Sequence, residues 1–306
     1  MNTIQACIAT TSATAALLGL VIALPAAATP FTFNTGSVTN QIATASRPGP
    51  GPGGGVNQET ESADDSFLGS ATRLNSATFT GLIPAGASVS QVVVEIYRVF
   101  PNDSNTMRTP NVPTRTNSPS DVEFDSRDSG MAGKLSFTTT QLSPSFTALN
   151  SVDTGIHPSP NQHTGGEGPV TGQETRFNVT FTEPIDLPAD HYFFVPQVLL
   201  SNADQHFLWL SASRPIDATG TPFPPGVTDL QSWIRNADLD PDWLRIGSDI
   251  VGTPATGPTF NAAFTLNGDP IPEPASLSLL AASLAGMGFL AWRRRRHNQP
   301  SARSLP

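Results

Sequence analysis

Proline and glycine punctuate this chain so densely that long helices are excluded from most of it: 29 prolines and 25 glycines are spread over 306 residues. A proline inside a helix removes a backbone hydrogen bond and clashes with the preceding turn, and a glycine there gives up backbone entropy. Between the two ends of the chain no window shows an apolar stripe of helical period, and alternation of period two takes its place. In the segment Arg176 to Thr182, Phe177, Val179 and Phe181 share one face with polar residues between them, the pattern of a half-buried strand. Val89 to Phe100 puts Val92, Val94, Ile96 and Arg98 on one face and Val93, Glu95, Tyr97 and Val99 on the other, and its β-branched and aromatic content favours a strand. Ala77 to Ile83 ends at the turn Pro84-Ala85-Gly86. Further strands are expected at Lys134 to Thr140, Thr175 to Glu183, His191 to Leu200, His206 to Ala212, Leu230 to Arg235, Trp243 to Gly247 and Thr259 to Asn267. The pattern predicts an all-β fold: an antiparallel, jelly-roll-like β-sandwich of roughly eight to ten strands. It occupies residues 63–269 and opens near Ala63-Asp64-Asp65-Ser66-Phe67.

Three stretches read as irregular. Residues 29–62 are expected as a flexible lead, because Arg47-Pro48-Gly49-Pro50-Gly51-Pro52-Gly53-Gly54-Gly55 has almost nothing to bury and defeats both helix and sheet. Pro101 to Gly133 and Val152 to Gly172 are too long and polar for hairpin turns and are expected as long loops, either a binding surface at the end of the sandwich or loops lying against the sheets.

Both ends of the chain carry addresses. Ala13 to Leu24 is an apolar run of signal-peptide length, and Ala26, Ala27 and Ala28 are the small residues that signal peptidase accepts. Residues 1–28 are therefore expected as a signal peptide cut before Thr29, although no Lys or Arg precedes Arg47. At the other end, Ala275 to Trp292 is an uncharged stretch of 18 residues, about 27 Å as a helix and close to the hydrocarbon thickness of a bilayer. Arg293, Arg294, Arg295 and Arg296 follow it and act as a membrane stop that stays cytoplasmic, with residues 297–306 as a cytoplasmic tail and the body outside.

Pro272, Glu273 and Pro274, then Leu279, Leu280 and Leu284 among small residues, then the four arginines, resemble the PEP-CTERM sorting signal of bacteria that make extracellular polysaccharide. In that family the tripeptide, the helix and the arginine cluster are read by a membrane peptidase, exosortase, thought to cut near the motif. The resemblance covers residues 270–296 and implies signal peptidase and exosortase as processing partners and the cell surface or extracellular matrix as destination. It implies nothing about the chemistry of the body.

Charge narrows the partners of that body. Residues 29–274 hold all 25 acidic residues and 11 of the 16 basic ones, a formal charge of −14, which repels nucleic acid and anionic lipid. The only cysteine, Cys7, lies in the expected signal peptide, so the body has no disulfide and depends on a packed core.

Candidate sites are few. Gly-x-Ser-x-Gly, His-Glu-x-x-His and phosphate-cradling glycine motifs are absent. His157, His163 and Glu167 offer zinc-type ligands within one turn-rich segment. Asp238, Asp240 and Asp242 alternate as in the start of a calcium loop, with Asp249 at the twelfth position. Trp243 sits where an EF-hand needs glycine, which leaves either an irregular structural calcium site or a solvated acidic turn. Asp121, Asp125 and Asp128 form a second acidic set with no fixed spacing. Trp209, Trp233 and Trp243 are either a platform for sugar rings or core residues, flanked as they are by Leu208, Leu210, Ile234 and Leu244. His191 and His206 open aromatic strands and read as edge or core residues. The expectation is a non-catalytic exported β-sandwich, with no cofactor beyond a structural calcium; the alternative is a carbohydrate-binding module acting on extracellular polysaccharide, and less so a secreted hydrolase.

Overall fold

The computed structural model describes residues 29–49, 58–100, 117–130, 133–156, 163–214, 230–253, 257–271 and a few positions between 282 and 293. The expected signal peptide, the centre of the Pro/Gly-rich run, His157, the Pro272-Glu273-Pro274 motif, most of the 275–292 stretch and the arginines from Arg294 on lie outside them. Among the described residues no helix is long and apolar enough to cross a membrane.

The described chain is mostly strand, in two sheets. The larger has nine strands: β1 (Phe31–Asn34), β2 (Val38–Ala45), β4 (Thr72–Ile83), β7 (Leu135–Ala148), β8 (Ser151–Val152), β9 (Val170–Leu187), β11 (Leu208–Ala212), β14 (Asn261–Ala262) and β15 (Phe264–Pro270). The smaller has six, in the order β13 (Leu244–Arg245), β12 (Trp233–Asn236), β3 (Thr60–Leu68), β10 (Asp190–Leu200), β5 (Val89–Val99) and β6 (Pro119–Asp128). Strand β4 organises the larger sheet. Along one edge it pairs with β9, which then pairs with β7; along the other it pairs first with β15 and then with β11. All pairings are antiparallel except that of β2 with β8, a departure from the purely antiparallel expectation.

The expected strands are present, several of them longer than the alternation indicated, except that Trp243–Gly247 pairs as strand only at Leu244–Arg245 and then turns into a π-helix, Ile246–Val251. Two further expectations are corrected. The supposed lead contains β1, β2 and the start of β3, because Phe33, Ile42, Ala43 and Ala45 are buried and their backbones complete sheet edges. The connection 101–133 contains β6, which pairs with β5 even though Val122, Glu123 and Phe124 are exposed. Tertiary hydrogen bonding overrode local composition in both cases. The connection 152–172 is a loop as expected: its described residues 153–156 and 163–169 are irregular, and only its ends belong to β8 and β9.

The sheets pack through an aromatic core. Phe79, Phe177, Phe207, Trp209 and Phe264 from the larger sheet or its borders meet Val92, Val94, Ile96, Tyr192 and Phe194 from the smaller, all within one buried cluster. Phe194 stacks on Phe264 at 5.1 Å between centroids, and Phe79 on Phe177 at 4.8 Å. Close approach dictates one glycine here: a Cβ on Gly81 would overlap the Phe207 ring and the Leu208 carbonyl oxygen. Gly86, at φ +77°, closes the β4–β5 turn, in which the Ala87 amide donates to the Pro84 carbonyl at 3.0 Å.

The outward residues of the larger sheet follow the alternate parity and line up across strands. One row runs Thr32, Asn267, Ser76, Thr180, Ser136 over β1, β15, β4, β9 and β7. On the smaller sheet the outward face is covered by a different set: Ala63, Tyr97, Phe193 and Val195 pack with Leu230, Trp233 and Trp243.

Candidate functional site

Strand alternation puts Glu61 of β3, Glu95 and Tyr97 of β5 and Arg235 of β12 on that outer face of the six-stranded sheet, with Arg235 directly opposite Glu61 in the ladder. Together with Glu59, Glu123, Ala237 and Asp240 they line a recess of about 270 Å³. Its floor is a closed polar network. The Arg235 guanidinium donates to both oxygens of Glu61 and, at 2.9 Å, to the Tyr97 hydroxyl. It also donates to the Pro241 carbonyl at 3.2 Å and pairs with Asp240 at 2.8 Å. The single Tyr97 O–H donates to Glu61 Oε1 at 2.7 Å and lies 3.0 Å from Glu95 Oε2, and Glu95 is hydrogen-bonded to Glu61. Arg235 further lies 4.4 Å from the Trp243 ring centroid and 5.2 Å from that of Tyr97.

Electrostatics assign opposite protonation states to Glu61 and Glu95. Burial pushes Glu61 up, but the Arg235 charge and hydrogen bonds outweigh it and hold Glu61 below the ordinary range, so it is ionised. Burial, then the neighbouring Glu61 charge, push Glu95 up to about 10, so it keeps its proton at neutral pH and donates it to Glu61. Burial and Glu61 also raise Glu59 and Tyr97. Burial disfavours the Arg235 charge, yet Glu61 raises its pKa above the ordinary value. With two donors from Arg235, one from Tyr97 and one from Glu95, Glu61 has its acceptor capacity filled. The floor therefore holds segment 233–243 against the sheet, and the rim acids Glu59, Glu123 and Asp240 give the recess its acidic character.

The structure disperses the sites expected from sequence. Trp209, Trp233 and Trp243 are 1, 1 and 2 % exposed, which corrects the sugar-platform reading. Trp209 lies in the core between the sheets and donates to the Ala263 carbonyl at 3.0 Å, whereas Trp243 backs Arg235 and donates to the Ser120 carbonyl at 3.3 Å. Asp238, Asp240 and Asp242 do not gather: Asp238 is exposed, Asp240 faces Arg235 and Asp242 is buried. Asp249 is held by the Arg245 guanidinium at 2.6 Å. No group of three or more His, Cys, Asp or Glu able to hold a metal occurs among the described residues. Glu167, the proposed zinc ligand, accepts the backbone amides of Asp153, Thr154 and Gly155 at 3.1, 2.9 and 2.5 Å, so its carboxylate closes a loop. Asp125 and Asp128 are likewise engaged, with Arg127 and with Gln91 and the Gly130 amide respectively.

His191 and His206 both sit against aspartates at 2.5 Å, Asp65 and Asp153 respectively. The recess was legible only as the alternation of Glu95 and Tyr97. Glu61 and Arg235 are 174 residues apart, and no local pattern announces a pair that the sheet creates.

A family model of the PEP-CTERM protein-sorting motif matches residues 270–296. That span begins at the last residue of β15, so the sorting segment follows the final strand directly. No curated protein and no solved structure matches the chain.

Proposed function

We propose that this chain, which carries a PEP-CTERM sorting motif over residues 270–296, is a non-catalytic exported protein whose β-sandwich is delivered to the cell surface or extracellular matrix by exosortase. The carrying observation is the motif match over residues 270–296, which begins at the last residue of the final described strand. The recess supports a non-catalytic reading. Its paired glutamates are hydrogen-bonded to each other, leaving no gap for a substrate between them, and Glu61 is saturated by Arg235, Tyr97 and Glu95 together. Glycoside hydrolysis needs carboxyl groups about 5 Å apart or more with the sugar between them.

The apolar stretch 275–292 then serves as a temporary anchor and the arginines from Arg293 to Arg296 as its cytoplasmic stop. The test is maturation in the native host. Glu273→Ala is expected to accumulate an uncut precursor, and protease added to intact cells is expected to remove the body and spare only the tail. Normal maturation of that variant, or a body protected from external protease, refutes the reading.

A further inference from the structure

The outer face of the nine-stranded sheet carries two uncharged polar rows. Beside the row described above, a second row runs Asn34, Thr265, Thr78, Asn178, Thr138 across the same five strands. Both rows consist only of Thr, Ser and Asn, and none of their members is buried. Strand spacing sets neighbouring groups about 4.8 Å apart across the sheet, and every second residue about 6.7 Å apart along it. Some of these groups are fixed by mutual bonds: Asn34 Nδ2 donates to Thr265 Oγ1 at 2.9 Å and Thr32 Oγ1 to Asn267 Oδ1 at 3.2 Å. The remaining hydroxyl and amide capacity faces solvent.

From this face we infer a docking surface for a neutral, extended polysaccharide of the β-1,4-linked class, running across the strands with about one sugar per strand spacing. Three observations select that partner. The ten positions carry no charge, in a body of formal charge −14, so an anionic polymer is repelled by the surroundings while a neutral one is not. They carry no aromatic or aliphatic side chain beyond the threonine methyls, so recognition proceeds through hydroxyl and amide hydrogen bonds, for which a polyhydroxylated chain offers a donor and an acceptor at each group. Finally, a sheet of this size twists by about 20° per strand, which a planar crystalline surface cannot follow and a single polymer chain can. Charges lie only at the borders, with Arg176 opposite Thr80 and Thr140 in the next row and the Arg73–Asp186 ion pair at the opposite end.

The surface adds a partner to the exported body proposed above. Binding is measured on purified protein and is independent of sorting, so either reading can fail alone. The full chain, purified in a polyoxyethylene detergent that contains no sugar, is run through native gels containing konjac glucomannan, hydroxyethylcellulose or alginate. Retardation is expected with the two neutral glycans and not with alginate. The double variant Thr78→Val, Asn178→Leu is expected to weaken retardation about tenfold or more while melting like the wild type. If that variant fails to fold, Thr180→Lys at an exposed position tests the same face and is expected to weaken neutral binding. Glu123→Gln, in the recess on the other sheet, is expected to bind normally. No retardation by either neutral glycan, stronger retardation by alginate, or unchanged binding by folded variants overturns the inference.

Discussion

Replacing Glu95 by Gln should stabilise the protein, and by an amount that grows with pH. Glu95 is held protonated beside ionised Glu61, with burial and that charge raising its pKa from 4.5 to about 10. In the unfolded chain the same carboxyl ionises freely, so at pH 7 folding must first protonate it. The cost is 1.36 kcal/mol for each of the 2.5 pH units between 4.5 and 7, or about 3 kcal/mol, before water entering the recess relaxes it. Glutamine keeps the hydrogen bond to Glu61, donating an amide N–H where Glu95 donates its carboxyl proton, without taking up a proton. Because the folded pKa is the higher one, the stabilising contribution of Glu95 is complete below about pH 4.5 and is lost progressively as pH rises towards 10. The variant should therefore match the wild type near pH 4. At pH 7 it should exceed it by about 1–3 kcal/mol, roughly 2–12 °C in melting temperature for a body of this size. Melting followed by circular dichroism from pH 4 to 9 measures this directly. A difference that is absent, or that stays constant across that range, would show Glu95 to be ionised in the folded state and refute the protonated pair.

The other side of the network behaves oppositely. Arg235→Gln leaves the buried Glu61 charge unpaired and should cost about 3–5 kcal/mol at pH 7 in urea unfolding, with the loss shrinking as pH falls towards 4 and Glu61 protonates. Gly81→Ala should destabilise by about 1–3 kcal/mol in the same assay, because its Cβ overlaps the Phe207 ring and the Leu208 carbonyl. Chelation should leave the melting temperature unchanged and Asp240→Asn should create no chelator response, since Asp238, Asp240 and Asp242 occupy separate environments; a drop of several degrees on adding chelator would contradict that.

The sequence by itself determined what can be read over short distances. Alternation at Phe177, Val179 and Phe181 and at Val92, Val94 and Ile96 reports one face per strand, and all six side chains are in the core between the sheets. The tripeptide at Pro272 to Pro274, the apolar run and the arginines form one contiguous signal, and the family model matches over the same residues, 270–296. Tertiary structure decided everything that depends on which strands become neighbours. Phe33 and Ile42 look like residues of a lead until β15 and β11 supply the edges that β1 and β2 complete. Trp233 and Trp243 look like a platform until Ala63, Tyr97 and Phe193 close over them. Glu61 and Arg235, and the hydroxyl rows drawn from five strands, exist only because the ladder register sets residues scores or hundreds of positions apart side by side. Local propensity acts through a few neighbouring residues, whereas burial and charge pairing act through space, and the register that joins the two is fixed only when the core packs.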